Sequence, residues 1–189
     1  MKATEVLMEE HRVIEGVLKT LETAAHYVEA GLPVRPALFL EAADFVRGFA
    51  DGCHHKKEEE VLFRTMADHG VQVEQGPIGV MLHEHEQGRQ YIRKLRAAAE
   101  RLEAGEKTAR HELTASVFGY VELLRGHIFK EDRVLFPLAN QSIPQAEQEQ
   151  VWEAFEHVEH EETGEGVHEK YLALANALAR EVSLIGVQV

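Results

Sequence analysis

The stretch CHHKKEEEVLF, residues 53–63, sets two histidines and three glutamates beside Val61, Leu62 and Phe63, which have core character. It has an echo in HIFKEDRVLFP, residues 127–137. In both, a histidine is followed four residues later by a glutamate, and four after that by Leu-Phe. His54 pairs with His127, Glu58 with Glu131, Leu62 with Leu135 and Phe63 with Phe136. Residues four apart share a helix face, about one turn apart, so each His-x-x-x-Glu can offer an imidazole and a carboxylate to one cation. A second echo links LMEEHRVIEGVL at 7–18 with MLHEHEQGRQYI at 81–92 and pairs His11 with His85. The chain reads as two helical hairpins of one kind. Each brings one histidine from its first helix and a His-x-x-x-Glu from its second.

Outward from these stretches the pattern is helical throughout. Period-two alternation rich in Val, Ile and Thr is missing. Helices are predicted at about 3–30, 35–68, 77–104, 107–140, 144–163 and 167–182, punctuated by Gly31, Pro33, Gly70, Pro77, Gly105, Pro144 and the TGEGV break. Four long helices with short loops predict an all-α, up-down-up-down four-helix bundle over residues 1–140. Residues 141–189 form a C-terminal helical extension packing on that bundle as part of the same domain. Its apolar positions, among them Val151, Trp152, Phe155, Tyr171, Leu178 and Val182, need a surface to cover. A lid over one end of the bundle is favoured over a dimerisation element, because the segment follows the bundle directly and carries His168.

The apolar stripes indicate which way the polar residues face. On the fourth helix Val117, Val121, Leu124, Ile128 and Leu135 form a stripe of helical period, and His127 and Glu131 fall within its arc. His85 lies in the stripe of Ile78, Met81, Leu82, Ile92 and Leu95. His11 is flanked by Leu7, Ile14, Leu18 and Leu21, and His54 and Glu58 share an arc with Val61 and Leu62. Buried carboxylates without partners would be costly. For one inward histidine a structural role is the better account. For four histidines and two glutamates in matching halves, a metal cluster is, and helix bundles hold two-metal carboxylate sites in this manner.

The order His11, His54-x-x-x-Glu58, His85, His127-x-x-x-Glu131 resembles the hemerythrin-like family, or HHE cation-binding domain, over about residues 3–140. The EEVLF and EDRVLFP tails and GPIGVMLHEHEQGRQYIRKL around His85 carry the same resemblance. It implies a four-helix bundle around two non-haem iron ions, bridged by Glu58, Glu131 and an oxo or hydroxo group. His11, His54, His85 and His127 would be the terminal ligands. Histidine and carboxylate donors suit iron, and also manganese or zinc. Family members bind dioxygen, sense oxygen or redox state, handle nitric oxide or peroxide, or store iron. The implied partner is therefore a small diatomic ligand or peroxide.

Two departures from the family's respiratory oxygen carriers stand out. Those have a second histidine one turn after the third-helix histidine, where this chain has Arg89. They also use an aspartate five residues after the last histidine of the bundle. Asp132 stands at that spacing and competes with Glu131, which the internal echo selects. His168 and His55 are the candidates to fill the gap left by Arg89. The shortfall favours a redox enzyme removing peroxide or nitric oxide. The lack of a recognisable electron-donor domain favours binding or sensing, and an enzyme would need a separate electron donor.

Composition limits the rest. A formal net charge of −13 disfavours nucleic acid and anionic membrane surfaces. No apolar run approaches the ~20 residues of a membrane span. The opening MKATEVLMEEHRVIEG has acidic residues where a signal peptide would be apolar, so a cytoplasmic protein is expected. The single cysteine, Cys53, reads as small core. His26, His69, His111, His157 and His160 read as surface. Glu59 and Glu60 read as solvated or, at most, as supports of the ligands. A homodimer is compatible with this sequence.

Overall fold

The computed structural model describes residues 2–164 and 166–187, and these are all helix, turn or loop, with no strand among them. Helix α1 is Ala3–Glu29. Helix α2 runs over 36–68, starting on Pro36. Helix α3 is Pro77–Glu103, with Pro77 in its first turn. Helix α4 runs over 109–142. A short turn, Gln145–Glu147, leads into α5 over 148–164, and α6 is Val167–Val187. After α1, α2 and α3 the chain turns at Gly31, Gly70 and Gly105, with φ of 77°, 86° and 93°. Glycine takes that left-handed conformation without steric cost. In the TGEGV break, Gly164 and Gly166 also have positive φ, while Glu165 lies outside the described residues.

The long helices are not uniformly α. Wider π-type turns occupy Val46–His54 and Glu58–Leu62 in α2, and Glu131–Leu135 in α4. In the echoed pair the backbone matches too: Phe63 N–H donates to the Glu58 carbonyl, and Phe136 N–H to the Glu131 carbonyl. Such turns cluster at functional sites because they re-aim side chains within a helix.

Packing joins α1 to α4, α4 to α3 and α3 to α2. The apolar interior falls into two clusters. One contains Ile14, Leu18, Phe49, Ile92, Leu95, Val117, Val121, Leu124 and Ile128. The other contains Leu7, Leu62, Phe63, Ile78, Met81, Leu135 and Phe136. Along α1 and α3 the second cluster comes first in sequence, and along α2 and α4 it comes last. On α1, α2 and α3 a histidine of the echoed stretches falls between the two clusters, and on α4 His127 stands beside Ile128, where the first cluster ends. The C-terminal segment lies along α1 and α2. It adds Val151 and Phe155 to one cluster and Leu178 and Val182 to the other. No helix among the described residues is long and apolar enough to cross a membrane.

Candidate metal centre

Between the two apolar clusters lies a buried polar layer. His11, His54, His55, Glu58, His85, His127 and Glu131 are all nearly inaccessible to solvent. They form two overlapping groups in which each residue offers one ligand atom and those atoms lie within 4.8 Å of one another. One group is His11, His54, Glu58 and Glu131, and the other is His55, Glu58, His85 and His127. Glu58 belongs to both. Glu131 also reaches both sides, with His11 Nε2 and His127 Nε2 each 3.2 Å from its Oε2 and His85 Nε2 3.9 Å from Oε1. His54 Nε2 is 3.4 Å from Glu58 Oε1, and His85 Nε2 is 3.4 Å from Glu58 Oε2.

Each imidazole is held from behind by a carboxylate on Nδ1. His11 meets Asp132 at 2.7 Å, His54 meets Glu10 at 2.8 Å, His55 meets Asp51 at 2.8 Å, His85 meets Glu59 at 2.7 Å and His127 meets Glu84 at 3.0 Å. An ionised carboxylate only accepts, so Nδ1 carries the hydrogen and donates it. In a neutral ring the Nε2 lone pair is then left for the centre of the layer. Histidines that ligate metals are oriented in this way. Four of these bonds run around the helices: α1 supports the α2 histidine, α2 that of α3, α3 that of α4, and α4 that of α1.

The centre itself lacks partners among the described residues. Both oxygens of Glu58, both of Glu131 and Nε2 of His11 are buried without a hydrogen bond. His11 Nε2 is close to Glu131, but not aligned to donate. Leaving a buried polar atom unsatisfied costs ~1–3 kcal/mol, and more for a charged group. His85 Nε2 and His127 Nε2 face each other at 3.0 Å, a contact that needs a proton or another cation between two lone pairs.

Electrostatics gives the same picture. Burial alone would push His11 down, but Asp132 and Glu131 outweigh it and raise its pKa to about 9. Burial also opposes the charge on His127, yet Glu131 and Glu84 raise it to about 9. Burial lowers His54 to about 4 and, with His85 and His54 nearby, holds His55 well below its usual range, so both are neutral bases. Burial and the charge of Glu131 keep Glu58 well above the carboxylate range, whereas His127 and His11 hold Glu131 below it despite burial. Metal cations bound at such nitrogens and oxygens would satisfy all of them at once, and the donor set fits a transition metal.

A model of the hemerythrin HHE cation-binding domain matches residues 2–139. The chain belongs to the hemerythrin HHE cation-binding family. Its relatives include uncharacterized proteins of Mycobacterium bovis and of two Mycobacterium tuberculosis strains. Each is 26% identical over 163 residues, which is 86% of this chain and 63% of the relative. This HHE-domain chain thus spans less than two thirds of those relatives' length. No solved structure matches it.

The sequence-derived candidates of this HHE domain fall in different places. His11, His54, Glu58, His85, His127 and Glu131 lie together in the layer. Asp132, the competitor of Glu131, instead sits behind His11 and contacts Arg12. His55 is in the layer, its ring stacked on His85 with centroids 3.9 Å apart. His168 is not: it lies near Glu10 and Glu159 and against Phe49. Arg89 binds Glu59 and Asp51, the carboxylates behind His85 and His55. Glu10, Asp51 and Glu84 were missed. A signal exists, because Glu10 precedes His11 and Glu84 precedes His85, just as Glu59 follows Glu58 and Asp132 follows Glu131. Each neighbour of a central residue supports a histidine on another helix. Cys53 is buried, and burial lifts its thiol to about 11, which suits small core.

Proposed function

We propose that this chain is a non-haem diiron protein that binds or senses dioxygen, nitric oxide or iron itself. The observation that carries the reading is the convergence of five carboxylate-backed imidazoles on two buried carboxylates without hydrogen-bond partners. One iron would be held by His11 and His54, the other by His55, His85 and His127, with Glu58 and Glu131 shared between them. Such a pair, when bound, supplies reversible electron transfer and positions for a small ligand. The chain's residues do the rest. The carboxylates behind each Nδ1 fix the ring orientations, and the two apolar clusters exclude water on either side. The order of those clusters along the helices supports an up-down-up-down bundle, with the C-terminal segment as part of the same domain.

His55 bears on the choice between binding and turnover. The gap at Arg89 favoured an enzyme, but His55 in the layer brings the histidines to five. The His11–His54 side then has one histidine fewer than the other, so a diatomic ligand or peroxide is best accommodated there. Iron analysis of the reconstituted chain, followed by exposure of the reduced form to nitric oxide, tests the reading. A stable, reversible nitrosyl spectrum is expected. Steady consumption of nitric oxide or peroxide with a separate electron donor would replace binding with catalysis, and a chain that takes up no iron would refute both.

A further inference from the structure

Each carboxylate of the ring around the helices also meets a cation from the helix whose histidine it supports. Asp132 is gripped by His11 and Arg12 of α1, and Glu59 by His85 and Arg89 of α3. Glu84 is gripped by His127 and Lys130 of α4, and Glu10 by His54 and Lys57 of α2. Three of these cations are open to water, with side chains 54%, 29% and 40% exposed for Arg12, Arg89 and Lys130. Lys57 is 1% exposed. Water and salt screen the first three, whereas a buried charge acts through a poorly screening medium.

Lys57 differs in a second way. Its Nζ lies 2.6 Å from Glu10 Oε1 and also 2.6 Å from Oε2 of Glu159, on α5. Glu159 lies beyond the residues that the family model matches. Its Oε1 is 3.5 Å from His168 Nδ1, which is buried without a hydrogen bond, and four residues on in α5 the Thr163 hydroxyl donates to the Gly52 carbonyl of α2. Glu10, Glu159 and His168 come close enough to hold a metal ion. Their carboxylates already converge on an ammonium, so the trio reads as the Lys57 socket.

We propose that Lys57, clamped by Glu159, is a positioning residue through which the C-terminal segment sets the reduction potential of metal bound at His54. The inference rests on the diiron reading. A carboxylate behind Nδ1 makes an imidazole a stronger donor and so favours the more oxidised metal. Lys57 draws on the charge of Glu10 and weakens that effect on His54. Glu159 draws on Lys57 in turn. Removing Lys57 therefore lowers the potential, and removing the charge of Glu159 raises it. A structural disturbance of the site has no reason to produce opposite signs.

The test uses the full chain, reconstituted with iron, as wild type, Lys57→Met, Lys57→Arg and Glu159→Gln. Iron content and reduction potential are measured at pH 8. The expected result is a more negative potential for Lys57→Met at unchanged iron content. Lys57→Arg should stay near wild type, and Glu159→Gln should shift in the positive direction. Equal potentials in Lys57→Met and wild type, or shifts of one sign in Lys57→Met and Glu159→Gln, overturn the proposal. Should Lys57→Met fail to fold, Glu159→Gln decides alone: a positive shift supports the proposal and no shift overturns it. A wild-type chain that takes up no redox-active metal refutes the functional reading before any variant is compared, and the tuning proposal with it.

Discussion

At the scale of single residues, metal binding depends on which nitrogens reach the buried layer. His54 and His127 lie on the two His-x-x-x-Glu stretches, and replacing either with alanine is expected to lower bound iron sharply while the chain stays folded. His55→Ala is expected to do the same, and His168→Ala to leave iron content intact, because His168 lies in the Lys57 socket instead. Elemental analysis of the folded variants checks this, and full iron in His55→Ala would remove that residue from the ligand set. Protons offer a second check. In the metal-free layer burial disfavours charge on His11 and His127, but their carboxylate neighbours outweigh it and raise both to about 9. At pH 7 these rings hold protons that a cation must displace. Affinity for a divalent metal is therefore expected to weaken as pH falls below about 9. Titration calorimetry in two buffers of different ionisation enthalpy should report proton release. Heats that do not depend on the buffer would contradict it. The six residues of the echo were legible because a spacing of four survives as adjacency on a helix. The supporting carboxylates Glu10 and Glu84 were not, because they act on helices other than their own.

At the scale of elements, helix ends were legible where Gly31, Gly70 and Gly105 demanded a left-handed turn and where Pro77 opened a helix. The π-type turns were not, since nothing in a heptad-like pattern distinguishes them from ordinary helix. They matter for His55. On a regular helix its side chain would point about 100° away from that of His54, so a helical reading admits one of the two to the core more readily than both. The wide turn Val46–His54 lies immediately before His55, and both rings end in the layer. Packing of α6 on α2 gives a prediction of its own. A Cβ on Gly48 would overlap the Tyr171 hydroxyl and ring. Gly48→Ala is expected to displace that ring from its edge contact with Phe45 and to destabilise the chain by about 1–3 kcal/mol. In a Tyr171→Ala background the same change should be neutral or stabilising, since alanine is the better helix former by about 1 kcal/mol. Thermal melts of the four chains measure the coupling, and additive effects would show that the two residues do not press on each other.

At the scale of the whole molecule, the acidic balance of −13 and the buried layer both make cations stabilising. An ion that binds only the folded chain adds about 2.7 kcal/mol at a hundredfold excess over its Kd. Chelation is expected to lower the melting temperature, and iron to restore it. A melt that ignores both would place the metal outside the folded core. The apolar residues of the C-terminal segment showed that it must cover something. Which surface it covers was not legible, because amphipathic helices carry no address for their partner. That surface proves to be α1 and α2, with Glu159 reaching Lys57. Iron stoichiometry, taken together with the optical spectrum through anaerobic reduction and re-exposure to air, tests the diiron centre itself. Two irons per chain are expected, one for each overlapping donor group, with near-ultraviolet absorption that bleaches on reduction and returns in air. A folded chain with no metal, or with a single redox-silent zinc, would contradict it.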